Sequence, residues 1–138
     1  MKQYEIIDHT ADIGIRVYGA DLKELFINAG HGMFEIIADN SNITATKCLK
    51  IELTAENTEE LFVGWLRELL YQFNANLLIL KDISIHDITP QSIKASVWCD
   101  TIDKARHSIL TEIKAVTYHE LKVEHIDSHW QAQVIFDV

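Results

Sequence analysis

Apolar residues recur along this chain with two periods, and the switches between them mark its elements. Ile13, Ile15 and Val17 alternate with Gly14, Arg16 and Tyr18, the two-residue period of a strand with one face buried. Tyr4 to Ile7 reads as a strand before it. From Leu22 the spacing changes: Leu22, Leu25, Phe26, Ala29, Met33 and Ile36 fall at helical intervals and predict a helix from about Leu22 to Ile37. Asp21-Leu22-Lys23-Glu24 at its start has capping-box spacing, with Asp in place of Ser or Thr. Gly30 and Gly32 inside it would each cost roughly 1 kcal/mol against Ala, so they are read as points of close approach by a neighbouring element. His31 between them is read as a packed or exposed helix residue rather than a ligand. Asp39-Asn40-Ser41-Asn42 stops the helix. Leu49, Ile51 and Leu53 alternate with Lys50, Glu52 and Thr54 as a further strand. Asn57-Thr58-Glu59-Glu60 then opens a second helix, with a cap residue and with acids at its positive end. Leu61, Phe62, Trp65, Leu66, Leu69, Leu70 and Phe73 form its apolar stripe, and Asn74 to Asn76 end it.

The second half is strand-like. Leu77 to Leu80, Ile83 and Ile85 lead to the turn Thr89-Pro90-Gln91-Ser92, and Ile93, Ala95 and Val97 alternate on the return, a hairpin. His86 is read as lying at its exposed end and is given no role. Asp100 to Ser108 is polar and reads as a surface loop or short helical turn. A long strand is predicted from about Ile113 to Ile126, with Ala115, Thr117, His119 and Leu121 on one face. After Asp127-Ser128-His129, Trp130, Ala132, Val134 and Phe136 alternate with Gln131, Gln133, Ile135 and Asp137. Helices early and antiparallel strands late predict an α+β fold, two helices packed on antiparallel β-sheet. The length suits one domain, residues 1–138.

Composition narrows the function classes. The formal net charge is −9. An acidic surface repels phosphate backbones, and the lysines are scattered rather than gathered in a stripe, so direct nucleic-acid binding is not expected. A basic protein surface is the natural complement. No apolar run approaches the ~20 residues of a membrane helix, and Met1 to Glu5 lacks a signal peptide's apolar core. The protein is therefore expected in the cytoplasm. Cys48 and Cys99 are isolated and are read as reduced, buried, small apolar residues, which makes a zinc site improbable.

Asp8-His9-Thr10-Ala11-Asp12 packs three ionisable side chains between two strands. It is either a turn whose Asp and Thr side chains bond their own backbone or a functional loop on a rigid scaffold. At the far end Asp137 closes an apolar strand and is followed by Val138 with its α-carboxylate. If that strand runs beside the Asp8–Asp12 loop, Asp12, Asp137 and Val138 can share a hard divalent cation, Mg²⁺ or Ca²⁺. His9 and His119 would then lie near it as outer groups or proton carriers. If the strands are far apart, these are an exposed terminus and an unrelated turn. Spacing alone leaves both open.

Four stretches together resemble the archease family: Asp8-His9-Thr10-Ala11-Asp12-Ile13-Gly14; Leu61 through Trp65-Leu66 to Leu69-Leu70-Tyr71; Ile113-Lys114-Ala115-Val116-Thr117-Tyr118-His119; and Phe136-Asp137-Val138. The resemblance spans essentially the whole chain with order and spacing intact. It implies a fold of strand–helix–strand–strand modules. It also implies a cofactor protein, not itself an enzyme, for the tRNA-splicing RNA ligase. Such a protein promotes guanylylation of the ligase's active-site histidine, sustains multiple turnover and extends nucleotide use beyond GTP. By position the family's metal site falls on Asp12, Asp137 and Val138, its lysine on Lys114 and its histidine on His119. Trp98-Cys99-Asp100 departs from the Gly-Glu pair of many members. Two other readings of the same residues stand beside this one. The first is a stand-alone metal-dependent phosphoester hydrolase with His9 or His119 as general base. The second is a metal-independent protein-binding or chaperone-like module.

Overall fold

In the computed structural model, which describes residues 3–8 and 11–138, ten elements follow in order. They are β1 (Tyr4–Asp8), β2 (Asp12–Gly19), α1 (Leu22–Ile37), β3 (Lys47–Thr54), α2 (Thr58–Asn76), β4 (Leu78–Thr89), β5 (Ser92–Thr101), β6 (Ala115–Val116), β7 (Lys122–Ile126) and β8 (His129–Asp137). The fold is α+β, two helices with two antiparallel sheets rather than a single sheet. One sheet has the order β1-β2-β8-β6, with β7 also paired to β8; the other is β3-β5-β4. The run β3-α2-β4-β5 has the strand–helix–strand–strand order within one sheet.

The helix boundaries follow from their caps. Asp21 Oδ1 accepts the Glu24 N–H at 2.8 Å, and Glu24 reaches back to the Ala20 N–H at 3.2 Å, one residue beyond the usual capping-box donor, the N-cap's own N–H. Asn57 Oδ1 accepts the Glu60 N–H at 2.9 Å. Each side chain satisfies a first-turn donor that has no partner within the helix. Ten of the sixteen residues of α1 are buried, more than one face can supply. A helix apolar nearly all round must be covered nearly all round, and α1 touches β2 of one sheet and β4 of the other. Its glycines do what their cost suggests. A Cβ on Gly30 would stand 2.7 Å from Ile83 Cδ1, and one on Gly32 would stand 3.1 Å from the Tyr4 ring. Between the helices, Phe26 and Phe62 meet edge to face with centroids 5.4 Å apart. Trp65 is fully buried, its indole N–H donating to the Phe26 carbonyl at 2.9 Å.

Three expectations need correction. The predicted strand from Ile113 to Ile126 is two strands, β6 and β7, both paired to β8. Between them Leu121 N–H donates to the Tyr118 carbonyl and Glu120 adopts φ 53°, a left-handed turn. The register against β8 shows the break: Val116 pairs with Phe136 but Lys122 pairs with Gln133, so three extra residues are looped out after Thr117, whose N–H and hydroxyl still donate to the Ile135 carbonyl at 3.1 and 2.8 Å. Second, Cys48 is exposed, while Cys99 is buried. Strand parity places Cys48 with Lys50 and Glu52 on the outer face of β3. Third, Asp100 to Ser108 is not simply a surface loop. Asp100 belongs to β5, and both Asp100 and His107 are buried.

Candidate functional site

β2 and β8 are antiparallel neighbours in a register that sets Ile13 opposite Phe136 and Asp12 opposite Asp137. Directly opposed residues share a face of the sheet, with Cβ atoms about 4.5–5.5 Å apart. The alternation that turns Ile15, Val17, Val134 and Phe136 into the core therefore turns Asp12 and Asp137 together to the other side. Of the two arrangements left open by spacing, the strands are adjacent. Asp12 itself begins β2 rather than lying in a loop. It is half-buried, with its Oδ1 atom enclosed, and Asp137 is exposed.

β6 builds the other wall. Ala115 stands across from Asp137 on the far side of β8, and the Lys114 N–H donates to the Asp137 carbonyl at 2.7 Å. The Thr117 hydroxyl oxygen accepts the His119 N–H at 3.2 Å, which fixes the turn at the rim. Asp12, Asp137, Ala115, Thr117 and His119 line one open cleft of about 260 Å³, floored by Ile135 and Phe136. Gly14 gives Ile135 its place: a Cβ there would lie 2.6 Å from Ile135 Cδ1 and 2.7 Å from the Val134 carbonyl oxygen.

Asp12, Asp137 and His119 are thus brought to one cleft, and Val138 follows directly on Asp137. Lys114 is not among the cleft's lining; it lines the adjoining groove, with Arg67, Leu70 and Tyr71 of α2. His9 lies outside the described residues. Opposed carboxylates destabilise a strand pair unless their charge is shared or solvated, and carboxylate oxygens are the donors a hard divalent cation prefers. The donor set therefore fits such an ion. Among the described residues no group of three or more His, Cys, Asp or Glu side chains is placed to hold a metal. Further oxygens must then come from main chain, Val138 or water, which Mg²⁺ and Ca²⁺ both accept. Sequence reasoning missed Arg67. Its guanidinium donates to the Val116 carbonyl at 3.1 Å and lies 5.0 Å from the Tyr118 ring centroid, bracing β6 from α2. No periodicity marks it, since it is one polar position beside the apolar stripe.

Known proteins carry the same plan. Residues 4–138 match the model of the Archease protein family. The protein archease of Methanosarcina acetivorans is 38% identical, covering 99% of this chain and 97% of that one. That of Pyrococcus abyssi is 32% identical with both chains fully covered. The solution structure of protein 1598 of Methanobacterium thermoautotrophicum superposes with a TM-score of 0.83 at 32% identity over the whole of both chains. An archease from Thermotoga maritima, described as a possible chaperone, shares the fold with a TM-score of 0.64 at 24% identity, covering 96% of this chain and 94% of that one. Matched over residues 4–138 by the family model and over all but a few residues by relatives and by fold, this chain belongs to the archease family.

Proposed function

We propose that this protein activates the tRNA-splicing RNA ligase, promoting the ligase's guanylylation so that it turns over repeatedly, and extending its nucleotide use beyond GTP. It acts as a partner rather than as an enzyme. The observation that carries this reading is the register placing Asp12 directly opposite Asp137, with His119 in the same cleft. Asp12, Asp137 and the oxygens of Val138 would hold a divalent cation, Ca²⁺ or Mg²⁺, which supplies positive charge for phosphate oxygens. The chain's own residues do the rest. The Thr117 hydroxyl positions His119 through its backbone N–H, which sets an imidazole, a hydrogen-bonding group, at the rim of the cleft. The carboxylates repel nucleic-acid phosphates whenever no cation is shared between them.

The test is RNA ligation with limiting cognate ligase, GTP and metal. Wild type should give many turnovers per ligase, and Asp12→Ala or Asp137→Ala should return the ligase to about one. Equal turnover with wild type and both folded variants defeats the metal-cleft reading. His119 beside two carboxylates favours one rival, a metal-dependent phosphoester hydrolase. That rival requires chelator-sensitive phosphate release by this protein alone. A metal-independent protein-binding or chaperone-like module would instead sustain turnover with Asp12→Ala and Asp137→Ala.

A further inference from the structure

A second surface adjoins the cleft. Ala115 lines both the Asp12–Asp137 cleft and a groove of about 290 Å³ between α2 and β6. Arg67, Leu70, Tyr71 and Asn74 form its helical wall; their i, i+3, i+4, i+7 spacing is a single stripe of α2. Leu70 is buried at its base, yet Tyr71 is 57% exposed and Tyr118, stacked on Arg67, is 52% exposed. Tyr71 ends the Leu-Leu-Tyr stretch of the second helix, and within the described residues no hydrogen bond, ion pair or ring contact holds its ring. The charge is also out of keeping with the chain. In a protein of 21 acidic and 12 basic residues, the described residues lining this groove include Arg67 and Lys114 and no carboxylate. Exposed aromatics with arginine are the composition of an interface anchor.

Resting on the ligase-partner reading above, we propose that this groove is the docking site for an extended, carboxylate-bearing segment of the ligase. An apolar or aromatic side chain of that segment packs on Leu70 and Tyr71, and its carboxylate pairs with Arg67 and Lys114. Docking there aims the adjoining Asp12–Asp137 cleft at the ligase's reacting nucleotide. A peptide fits better than RNA for three reasons. Among the described residues lining the groove only two are cations. Arg67 already commits one nitrogen to the Val116 carbonyl. The neighbouring carboxylates repel a phosphate backbone.

The experiment measures affinity of the full chain for the cognate ligase by calorimetry, with turnover measured in parallel. Tyr71→Ala and Lys114→Glu should each weaken binding by about tenfold or more, as expected for truncating or reversing an anchor. Arg67→Glu should do the same and flatten the salt dependence of binding. Because Arg67 also braces β6, the first two variants carry the result if the third misfolds. Asp137→Ala should still bind the ligase while failing to raise its turnover. If Tyr71→Ala and Lys114→Glu bind within about twofold of wild type while turnover still depends on this protein, the groove assignment is overturned and the activator reading stands. If they bind the ligase normally but lose affinity for a single-stranded RNA oligonucleotide, the occupant is RNA and the peptide assignment is overturned. No binding and no activation by wild type overturns both.

Discussion

Asp100 is only 2% exposed, and it stays charged because nearly everything around it donates. Its carboxylate accepts the Thr44 N–H at 2.9 Å, Arg106 at 3.2 Å and the Thr46 hydroxyl at 3.3 Å. His107 Nε2 is 3.2 Å away. The Asp103 N–H donates to His107 Nδ1 at 2.9 Å, so the ring proton sits on Nε2, facing Asn42 and Asp100. The Thr44 N–H is the main cause that brings Asp100 from 3.8 down to about 2; burial opposes it, and Arg106 and His107 assist. A pKa lower folded than unfolded means the unfolded state takes the proton more readily. The stabilisation is therefore full well above pH 4 and is lost as pH falls from about 4 through 2. Asp100→Asn should lower stability at pH 7 by about 2 kcal/mol, below the range for a fully buried pair because Arg106 is 43% exposed. Between about pH 4 and pH 2 the variant should then lose less further stability than wild type. Urea unfolding at three pH values reads this directly, and parallel losses in the two proteins would rule the carboxylate out as the cause. The residue types from Asp100 to Ser108 were visible in the sequence. Their burial was not, because a cluster of charges reads as solvated until a neighbouring segment, here Asn42 to Thr46, is known to cover it.

At the scale of elements, two helical glycines should respond to the same substitution with opposite signs. Alanine in place of glycine gains about 1 kcal/mol of helix propensity. At Gly64 nothing lies within 4 Å of the added Cβ, so Gly64→Ala should stabilise by up to about 1 kcal/mol. At Gly30 the Cβ meets Ile83 Cδ1 at 2.7 Å and Leu69 Cδ1 at 3.1 Å. Overpacking typically costs 1–3 kcal/mol, so Gly30→Ala should come out about 1 kcal/mol less stable than wild type. Denaturation midpoints compared at equal m-value decide both; stabilisation by Gly30→Ala would mean that α1 and β4 have slack between them. Both helices were legible from their caps and stripes, since these are local signals. The division of residues 113–126 was not. Val123 and Val116 both suit a strand, and the break shows only in the register against β8, which shifts by three residues between Val116 and Lys122.

For the whole molecule, the net charge of −9 and the Asp12–Asp137 pairing make cation binding a stability question. A ligand bound only by the folded state at a hundred times its Kd adds about 2.7 kcal/mol, several degrees in Tm for a chain of this size. Ca²⁺ or Mg²⁺ should raise the Tm of wild type, and Asp12→Ala or Asp137→Ala should abolish the rise. In chelator, Asp137→Ala should be no less stable than wild type, because removing one of two opposed carboxylates relieves repulsion. A metal-induced rise that survives in both variants would place the cation elsewhere. No helix of the described residues is long and apolar enough to cross a membrane.

Local signals in the chain were enough for the two helices with their caps, the alternating strands, the α+β class, and the residue types at Asp12 and Asp137. The chain also carried the four stretches that resemble the archease family. Tertiary structure decided what depends on register. Asp12 and Asp137 are 125 positions apart, and a one-residue slip of β8 against β2 would turn one carboxylate to the opposite face. The division of the strands between two sheets, the burial of Asp100 and the exposure of Tyr71 beside Arg67 are likewise long-range outcomes. Each depends on which segment covers which, and side-chain periodicity records only that a face is to be covered.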